Sequence, residues 1–162
     1  MKKSLKSFIE ENIELIENGE FEVIYSNLLD PFKLNLDANS RYTLIGDFTE
    51  ALIKAGIDPA KYMKEIPSHY LGGTSLRSYT IPNNITAIGE YAFSGYNGLT
   101  EVVIPSTVTS IGAYTFRYCH ELRSITYLGT VDQWKGVKKL PGWKKDSSIK
   151  RIICTDGITN PQ

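Results

Sequence analysis

Cysteine and histidine are the residues of this chain whose chemistry could support catalysis or metal binding, and each type occurs twice in 162 residues. Cys119 and His120 are neighbours, and a thiol activated by an imidazole is the basis of cysteine nucleophilic catalysis. Such a pair must meet in space, and adjacent residues of one loop seldom provide that geometry. His69, His120 and the two cysteines also lack the spacing of zinc ligands. We therefore predict no catalytic residues, no metal and no cofactor.

Other catalytic signatures are missing from the sequence. It contains no phosphate-binding glycine loop, dinucleotide-binding motif, zinc-protease motif or nucleophile elbow. Asp30, Asp37 and Asp47 are too dispersed to form a metal-binding loop. The sequence gives no positive support for an enzyme, and we expect Cys119 and Cys154 to be buried free thiols that serve as small apolar side chains. A disulfide or a reactive thiol is the alternative.

Residues 76–127 repeat with a period of 23 residues. The apolar positions of the pattern L-x-x-L-x-L are Leu76, Tyr79 and Ile81, then Leu99, Val102 and Ile104, then Leu122, Ile125 and Tyr127. A second block, residues 85–93, returns as residues 108–116. A fixed period of this length predicts a solenoid, in which each repeat buries its apolar face against its neighbours.

Each position of the repeat has an expected role. The opening L-x-x-L-x-L is typical of a short strand that stacks on the same strand of the next repeat. We expect Gly89 and Gly112 to allow a tight turn or a positive φ. Phe93 and Phe116 should then fill the core between repeats, on short helical turns.

The third copy is degraded. In a simple alignment Val131 matches Val108 and Trp134 matches Ile111, but the proline and the Gly-x-Tyr-x-Phe element are lost. Residues 149–154 restore the strand pattern 27 residues after Leu122. We interpret them as a terminal strand, because the last repeat of a solenoid must cover an otherwise exposed core.

Residues 76–158 resemble the BspA-like leucine-rich repeats of bacterial surface antigens. The residues that carry the resemblance are Ile81-Pro82, Ile104-Pro105, Thr109, Ile111-Gly112, Ala92-Phe93, Cys119, Gly129-Thr130, Gln133-Trp134, Trp143 and Asp156-Gly157. The resemblance implies a protein- or ligand-binding role and brings no shared catalytic residue.

Residues 4–66 instead have the period of amphipathic helices. We predict four helices: one stripe from Leu5 to Ile16, a second over residues 21–29, a third capped by Asn39 or Ser40, and a fourth opened by Asp58. The predicted fold is therefore α+β, with a helical region at residues 1–70. A solenoid with a C-terminal cap follows at residues 71–162, with about three repeats and a terminal strand.

The role of the helical region stays open between a cap for the first repeat and a module with its own partner. Residues 15–22 and 49–59 resemble a helical leader found beside such repeats in bacterial and bacteriophage proteins.

The positions between the apolar residues of each strand should form the solvent-facing surface of the sheet. The predicted partner-binding residues are Arg77, Glu101, Arg123, Lys150 and Arg151 on the strands and Tyr96 and Tyr118 on the flank, since tyrosine suits interfaces. Tyr91 and Tyr114 either line the same flank or stack between repeats.

Charge is unevenly distributed along the chain. Residues 1–66 carry a net charge of −4 and residues 122–162 a net charge of +5. This asymmetry favours a charged partner, although the lysines near Trp143 are equally consistent with a solvated surface.

The predicted function is a non-enzymatic protein-interaction module. A phage-encoded inhibitor of a host defence complex, similar to an anti-CRISPR, is one specific form of it. Nucleic-acid binding through the basic C-terminal third and a surface adhesin-type repeat are the alternatives. The identity of the partner and the oligomeric state stay open.

The predicted localisation is cytoplasmic, which would be the host cytoplasm for a phage protein. The N-terminal sequence starts with methionine and basic residues but lacks the apolar segment of a signal peptide. No apolar run reaches the length of about 18 residues that a membrane span needs.

Overall fold

The computed structural model describes residues 4–72 and 74–162. Helices come first and a solenoid of parallel strands follows, as the sequence predicted. The helices are α1 (Leu5–Glu11), α2 (Ile13–Glu17), α3 (Phe21–Leu29), α4 (Ala38–Lys54), a 3₁₀ helix (Pro59–Tyr62) and, within the solenoid, α5 (Val131–Gly136). The strands are β1 (Glu65–Ile66), β2 (Ser78–Thr80), β3 (Ala87–Ile88), β4 (Glu101–Ile104), β5 (Ser110–Ile111), β6 (Ser124–Tyr127), β7 (Lys138–Lys139), β8 (Arg151–Cys154) and β9 (Gly157–Thr159).

The first apolar stripe forms two helices rather than one, because the chain breaks at Asn12. The Asn12 side chain donates a hydrogen bond to the Phe8 carbonyl oxygen at 2.8 Å and so competes with the backbone for that acceptor. The break leaves Ile13, an apolar residue within the stripe predicted from Leu5 to Ile16, 48% exposed.

Aspartates begin α4 and the 3₁₀ helix. The Asp37 carboxylate accepts a hydrogen bond from the Ser40 amide at 2.8 Å and caps α4, so the predicted caps, Asn39 and Ser40, were wrong. Asp58 caps the 3₁₀ helix as predicted, but this helix ends at Tyr62 and the chain enters β1 at residue 65.

Two sheets form the solenoid. The five-stranded sheet has the order β2-β4-β6-β8-β9, in which β9 alone is antiparallel to its neighbour. Tyr79 pairs with Val102 and Ile125 pairs with Ile152, so the L-x-x-L-x-L positions align between repeats as expected. The four-stranded sheet, β1-β3-β5-β7, was not predicted, because strands of two residues are too short to show a period.

Gly89 and Gly112 are required by close backbone approach, not by a positive φ. A Cβ atom on Gly89 would lie 2.5 Å from a carbonyl oxygen of the preceding repeat, and one on Gly112 would lie 2.5 Å from a backbone nitrogen. The left-handed backbone occurs two residues later instead, at Tyr91 (φ 59°) and Tyr114 (φ 56°). The predicted explanation by φ was therefore wrong, while the expectation of a tight chain path was right.

The third repeat is longer because α5 is inserted into it. The insertion shifts the register, so that Lys139 rather than Trp134 pairs with Ile111. The predicted alignment of Val131 and Trp134 with the second repeat was therefore wrong. Trp134 is nevertheless fully buried and closes the core at this end.

One apolar core extends from the helices into the solenoid. Phe93 and Phe116 are fully buried and stack with ring centroids 5.2 Å apart, as expected for side chains that fill the core between repeats. They lie on turns rather than helices.

Among the described residues, every helix is too short or too polar to cross a membrane.

Candidate functional site

The structure places the neighbours Cys119 and His120 in different surroundings. Cys119 is fully buried, and its Sγ donates to the Phe93 carbonyl oxygen at 3.3 Å. Burial raises the pKa of the Cys119 thiol to about 12, which keeps it protonated near neutral pH and unsuited to nucleophilic attack. His120 is exposed, and its ring lies beside Tyr118.

Both cysteines are free and buried, as expected. Burial also raises the pKa of the Cys154 thiol. Within residues 4–72 and 74–162, no three histidine, cysteine, aspartate or glutamate side chains come together as a metal site would require.

The five-stranded sheet turns one surface to the core and the other to solvent, because side chains alternate along each strand. In β4, for example, Val102 is buried and Glu101 is exposed. We call the solvent-facing surface the sheet face; the predicted residues on or beside it are Arg77, Glu101, Arg123, Lys150 and Arg151, and all are exposed. The structure brings Arg123, Lys150 and Arg151 together around one cavity, while Arg77 and Glu101 lie in earlier repeats. The role of all five residues in binding stays a prediction.

Tyr96 is not on any surface, so its predicted place at the flank was wrong. Its side chain is fully buried, and burial raises the pKa of its hydroxyl to about 12. The left-handed turn at Gly95 (φ 74°) directs the chain so that Tyr96 enters the core. The 23-residue period contained this signal, because Tyr96 aligns with Cys119, which the same reasoning had treated as buried.

Tyr118 is 40% exposed, but it lies in a turn rather than on the sheet face. The Arg117 guanidinium lies 4.5 Å from the centroid of its ring and donates to its hydroxyl oxygen at 2.7 Å. An Asp146 carboxylate oxygen lies 3.8 Å from the Arg117 Nε atom. Tyr118 thus belongs to a turn with its own contacts, and its role in binding stays a prediction.

An exposed apolar strip lies beside the basic residues of the sheet face. Leu128, Ile153 and Ile158 are 51%, 36% and 63% exposed. The register places Ile153 between Thr126 and Ile158, so β6, β8 and β9 present one continuous surface. Leu128 and Ile158 were missed from sequence, although Asp156-Gly157 is the kind of dipeptide that marks a hairpin turn.

The basic residues of the last two repeats surround a shallow cavity. Arg123, Ser148, Lys150 and Arg151 line a volume of about 330 Å³. None of the three cations forms a salt bridge with a described residue. Their charges are therefore available to an anionic group of a partner.

Tyr91 and Tyr114 stack between repeats, which is the packing alternative of the two that the sequence left open. Their ring centroids are 5.2 Å apart, and His69 and Tyr42 continue the stack toward the helices. The pKa of His69 is lowered, first by burial and then by the nearby Arg41 guanidinium. This stack joins α4 to the solenoid rather than forming a free flank.

Comparison with known proteins agrees with the repeat architecture. The family described as "BspA type Leucine rich repeat region (6 copies)" matches residues 52–136, which run from the end of α4 through β6 and α5. A leucine rich cell surface protein from Faecalibacterium prausnitzii, whose crystal structure is known, is 35% identical over 51% of this chain, with a TM-score of 0.47. That alignment spans 22% of the other chain. No curated protein matches this sequence.

The family match covers more than half of the chain and includes the residues up to Trp134 from which the resemblance was drawn, but not Trp143 or Asp156-Gly157. It supports a protein-interaction or surface-repeat module as the general class of function. The chain belongs to the BspA type leucine-rich repeat family.

Proposed function

We propose that the chain is a non-enzymatic protein-binding module that contacts an acidic protein through its sheet face. Arg123, Lys150 and Arg151 would meet carboxylates, and the strip of Leu128, Ile153 and Ile158 would meet apolar side chains. Arg77 and Glu101 lie at the other end of the same surface and would set the orientation of the partner.

The observation that carries the proposal is an apolar strip on the sheet beside cations that form no salt bridge with a described residue. Scattered exposed apolar residues need no explanation, but a continuous strip next to polar groups is typical of interaction sites. Interfaces combine such an apolar centre with a charged rim, and the charges accelerate association with a complementary surface.

The apolar strip also favours protein over nucleic acid as the partner. A phosphate backbone is bound by cations and polar groups, and its binding falls steeply with salt. Ile153 and Ile158 would gain little from such a backbone. Nucleic-acid binding therefore stays the alternative, and a gel-shift assay with DNA and RNA at low salt tests it.

A phage-encoded inhibitor of a host defence complex and a cytoplasmic location are predictions from the sequence alone, and neither the fold nor the comparisons support them. A surface-repeat role is a second candidate, because the family to which the chain belongs is compatible with it. Fractionation of the source cells, with detection of the chain in envelope and cytoplasm, distinguishes these locations.

The binding proposal can be tested by affinity capture. The immobilised chain should retain an acidic protein from a lysate of the source organism, and Arg123→Glu/Arg151→Glu should abolish retention. The matched control is Lys144→Glu/Lys145→Glu, which changes charge equally but lies in the turn after β7. Equal retention by the two double variants, or retention of no stoichiometric partner by the unmodified chain, would contradict the proposal.

A further inference from the structure

A groove lies between α3 and the start of the solenoid, and its lining includes none of the predicted residues of the sheet face. Its volume is about 540 Å³, within the range of about 300–1,000 Å³ that ligand sites occupy. The residues that line it are the more buried Tyr25, Leu29, Met63, Pro67, Ser68 and Gly89 and the exposed Glu22, Ser26, Lys64, Glu65 and Glu90. The floor is thus mainly apolar and the rim is mainly acidic.

The groove borders one edge of β1. β1 is the first strand of the four-stranded sheet and, within residues 4–72 and 74–162, pairs with β3 alone. The Gly89 amide donates to the Ile66 carbonyl oxygen at 2.8 Å, so Ile66 turns its backbone groups toward β3. Alternate residues of a strand direct these groups to opposite sides. Glu65 therefore directs its N–H and C=O away from β3, to the edge of β1 that no described strand covers.

The charge of the rim selects among the segments that could enter the groove. Glu22, Glu65 and Glu90 contribute three carboxylates against the single ammonium of Lys64. None of the three carboxylates forms a salt bridge with a described residue. A basic segment is therefore complementary to the rim, and an acidic one is repelled.

The dimensions fit a short extended peptide. The lining residues of α3 run from Glu22 to Leu29, which is about 10 Å of helix at 1.5 Å per residue. About three residues of extended chain, at about 3.3 Å each, span that length. In an extended peptide, alternate side chains point in opposite directions, so one set can enter the floor while the other reaches the rim.

We propose that this groove binds an extended segment of a partner protein with alternating basic and apolar residues, which pairs as a strand with the free edge of β1. Apolar side chains would contact Leu29, Met63 and Pro67, and basic ones would meet Glu22 and Glu90. Addition of a strand to a free sheet edge is an established mode of peptide recognition. This site is independent of the sheet face, and either can exist without the other.

The test uses the full chain and a fluorescent, terminally blocked peptide, Lys-Val-Lys-Val-Lys, in a fluorescence anisotropy titration at low salt. We expect saturable binding, and we expect Glu22→Gln/Glu90→Gln to weaken it by about twofold to thirtyfold, the equivalent of two exposed ion pairs. The matched control, Glu14→Gln/Glu17→Gln, removes the same charge from exposed positions of α2 and should leave binding unchanged. Circular dichroism establishes that both variants are folded.

Backbone pairing is tested separately from charge. Two versions of the peptide carry N-methyl groups, one on its valines and one on its lysines. Only one set of amides faces β1 in strand addition, so one version should bind about twofold to tenfold more weakly than the other. The proposal is overturned by equal binding of both versions, by equal effects of the two double variants, or by no saturable binding at about 1 mM protein.

Discussion

Asp58→Ala should be one of the most destabilising single substitutions in this chain. Its carboxylate accepts hydrogen bonds from two buried tyrosine hydroxyls and from a backbone amide at the start of the 3₁₀ helix. Asp58 accepts hydrogen bonds from the Tyr70 hydroxyl at 2.6 Å, from the Tyr79 hydroxyl at 2.9 Å and from the Ala60 amide at 3.0 Å. Tyr70 is fully buried and Tyr79 is 6% exposed, so water cannot replace the lost acceptor. These contacts fix the 3₁₀ helix against the start of the solenoid.

The magnitude follows from the groups that lose their partner. A buried hydroxyl without an acceptor costs about 1–3 kcal/mol, and loss of a helix cap costs about 1 kcal/mol. The two tyrosine hydroxyls lie 3.5 Å apart and can bond weakly to each other, which recovers part of the loss. We therefore expect the free energy of unfolding to fall by about 3–5 kcal/mol, a large share of the roughly 5–15 kcal/mol of a typical domain.

Equilibrium unfolding in urea, followed by far-ultraviolet circular dichroism, measures this loss. The control is Asp37→Ala, which removes the exposed cap of α4 and should cost about 0.5–2 kcal/mol. A second comparison is Tyr79→Phe, which should stabilise the Asp58→Ala protein by removing an unsatisfied hydroxyl and should destabilise the unmodified protein. The reasoning is refuted if Asp58→Ala costs no more than Asp37→Ala, or if Tyr79→Phe has the same effect in both backgrounds.

Three further predictions concern other parts of the fold. Gly112→Ala should lower the free energy of unfolding by about 3 kcal/mol, because its Cβ would lie 2.5 Å from the Glu90 nitrogen. The control is Gly98→Ala, whose Cβ would meet no described atom within 4 Å and which should change the free energy by less than about 1 kcal/mol in the same urea assay. Burial raises the pKa of the Cys119 thiol from 9.0 to about 12, so the unfolded chain loses this proton first and stability should fall as pH rises above about 9. Urea titrations from about pH 8 to pH 10 should show a shallower decline for Cys119→Ala. Ile158→Ser, at a side chain that is 63% exposed, should alter stability by less than about 0.5 kcal/mol and still weaken capture of the acidic partner.

The sequence predicted four strands of the five-stranded sheet, β2, β4, β6 and β8, because the three apolar positions of each strand recur at fixed spacing. It did not predict the four-stranded sheet, whose strands of two residues contain no period. The insertion of α5 was not predicted, for a different reason. Val131 and Trp134 keep apolar residues at the expected spacing, and only the pairing of Lys139 with Ile111 reveals that the register has moved.

The candidate surfaces were less accessible to sequence reasoning than the fold. The repeat period correctly predicted that Arg123, Lys150 and Arg151 are exposed, since it identifies the apolar positions that face the core. It could not place Ile158 beside Ile153, because β9 runs antiparallel and lies outside the period. The groove next to α3 depends on packing between a helix and a strand that have no shared pattern, so no spacing in the sequence indicated it.

The groove also bears on whether the N-terminal helices are a cap or a module. A helical cap protects the end of a solenoid by covering the free edge of its first strand, since an uncovered edge is prone to pair with other chains. Here α3 stands beside β1 and leaves a groove of about 540 Å³ between them. Two sets of contacts meanwhile hold the helices against the repeats: the hydrogen bonds of Asp58 with Tyr70 and Tyr79, and the ring stack from Tyr42 to Tyr114. The helices thus cap the core but leave the edge of β1 open, and that combination is what a peptide-binding groove between the two halves requires.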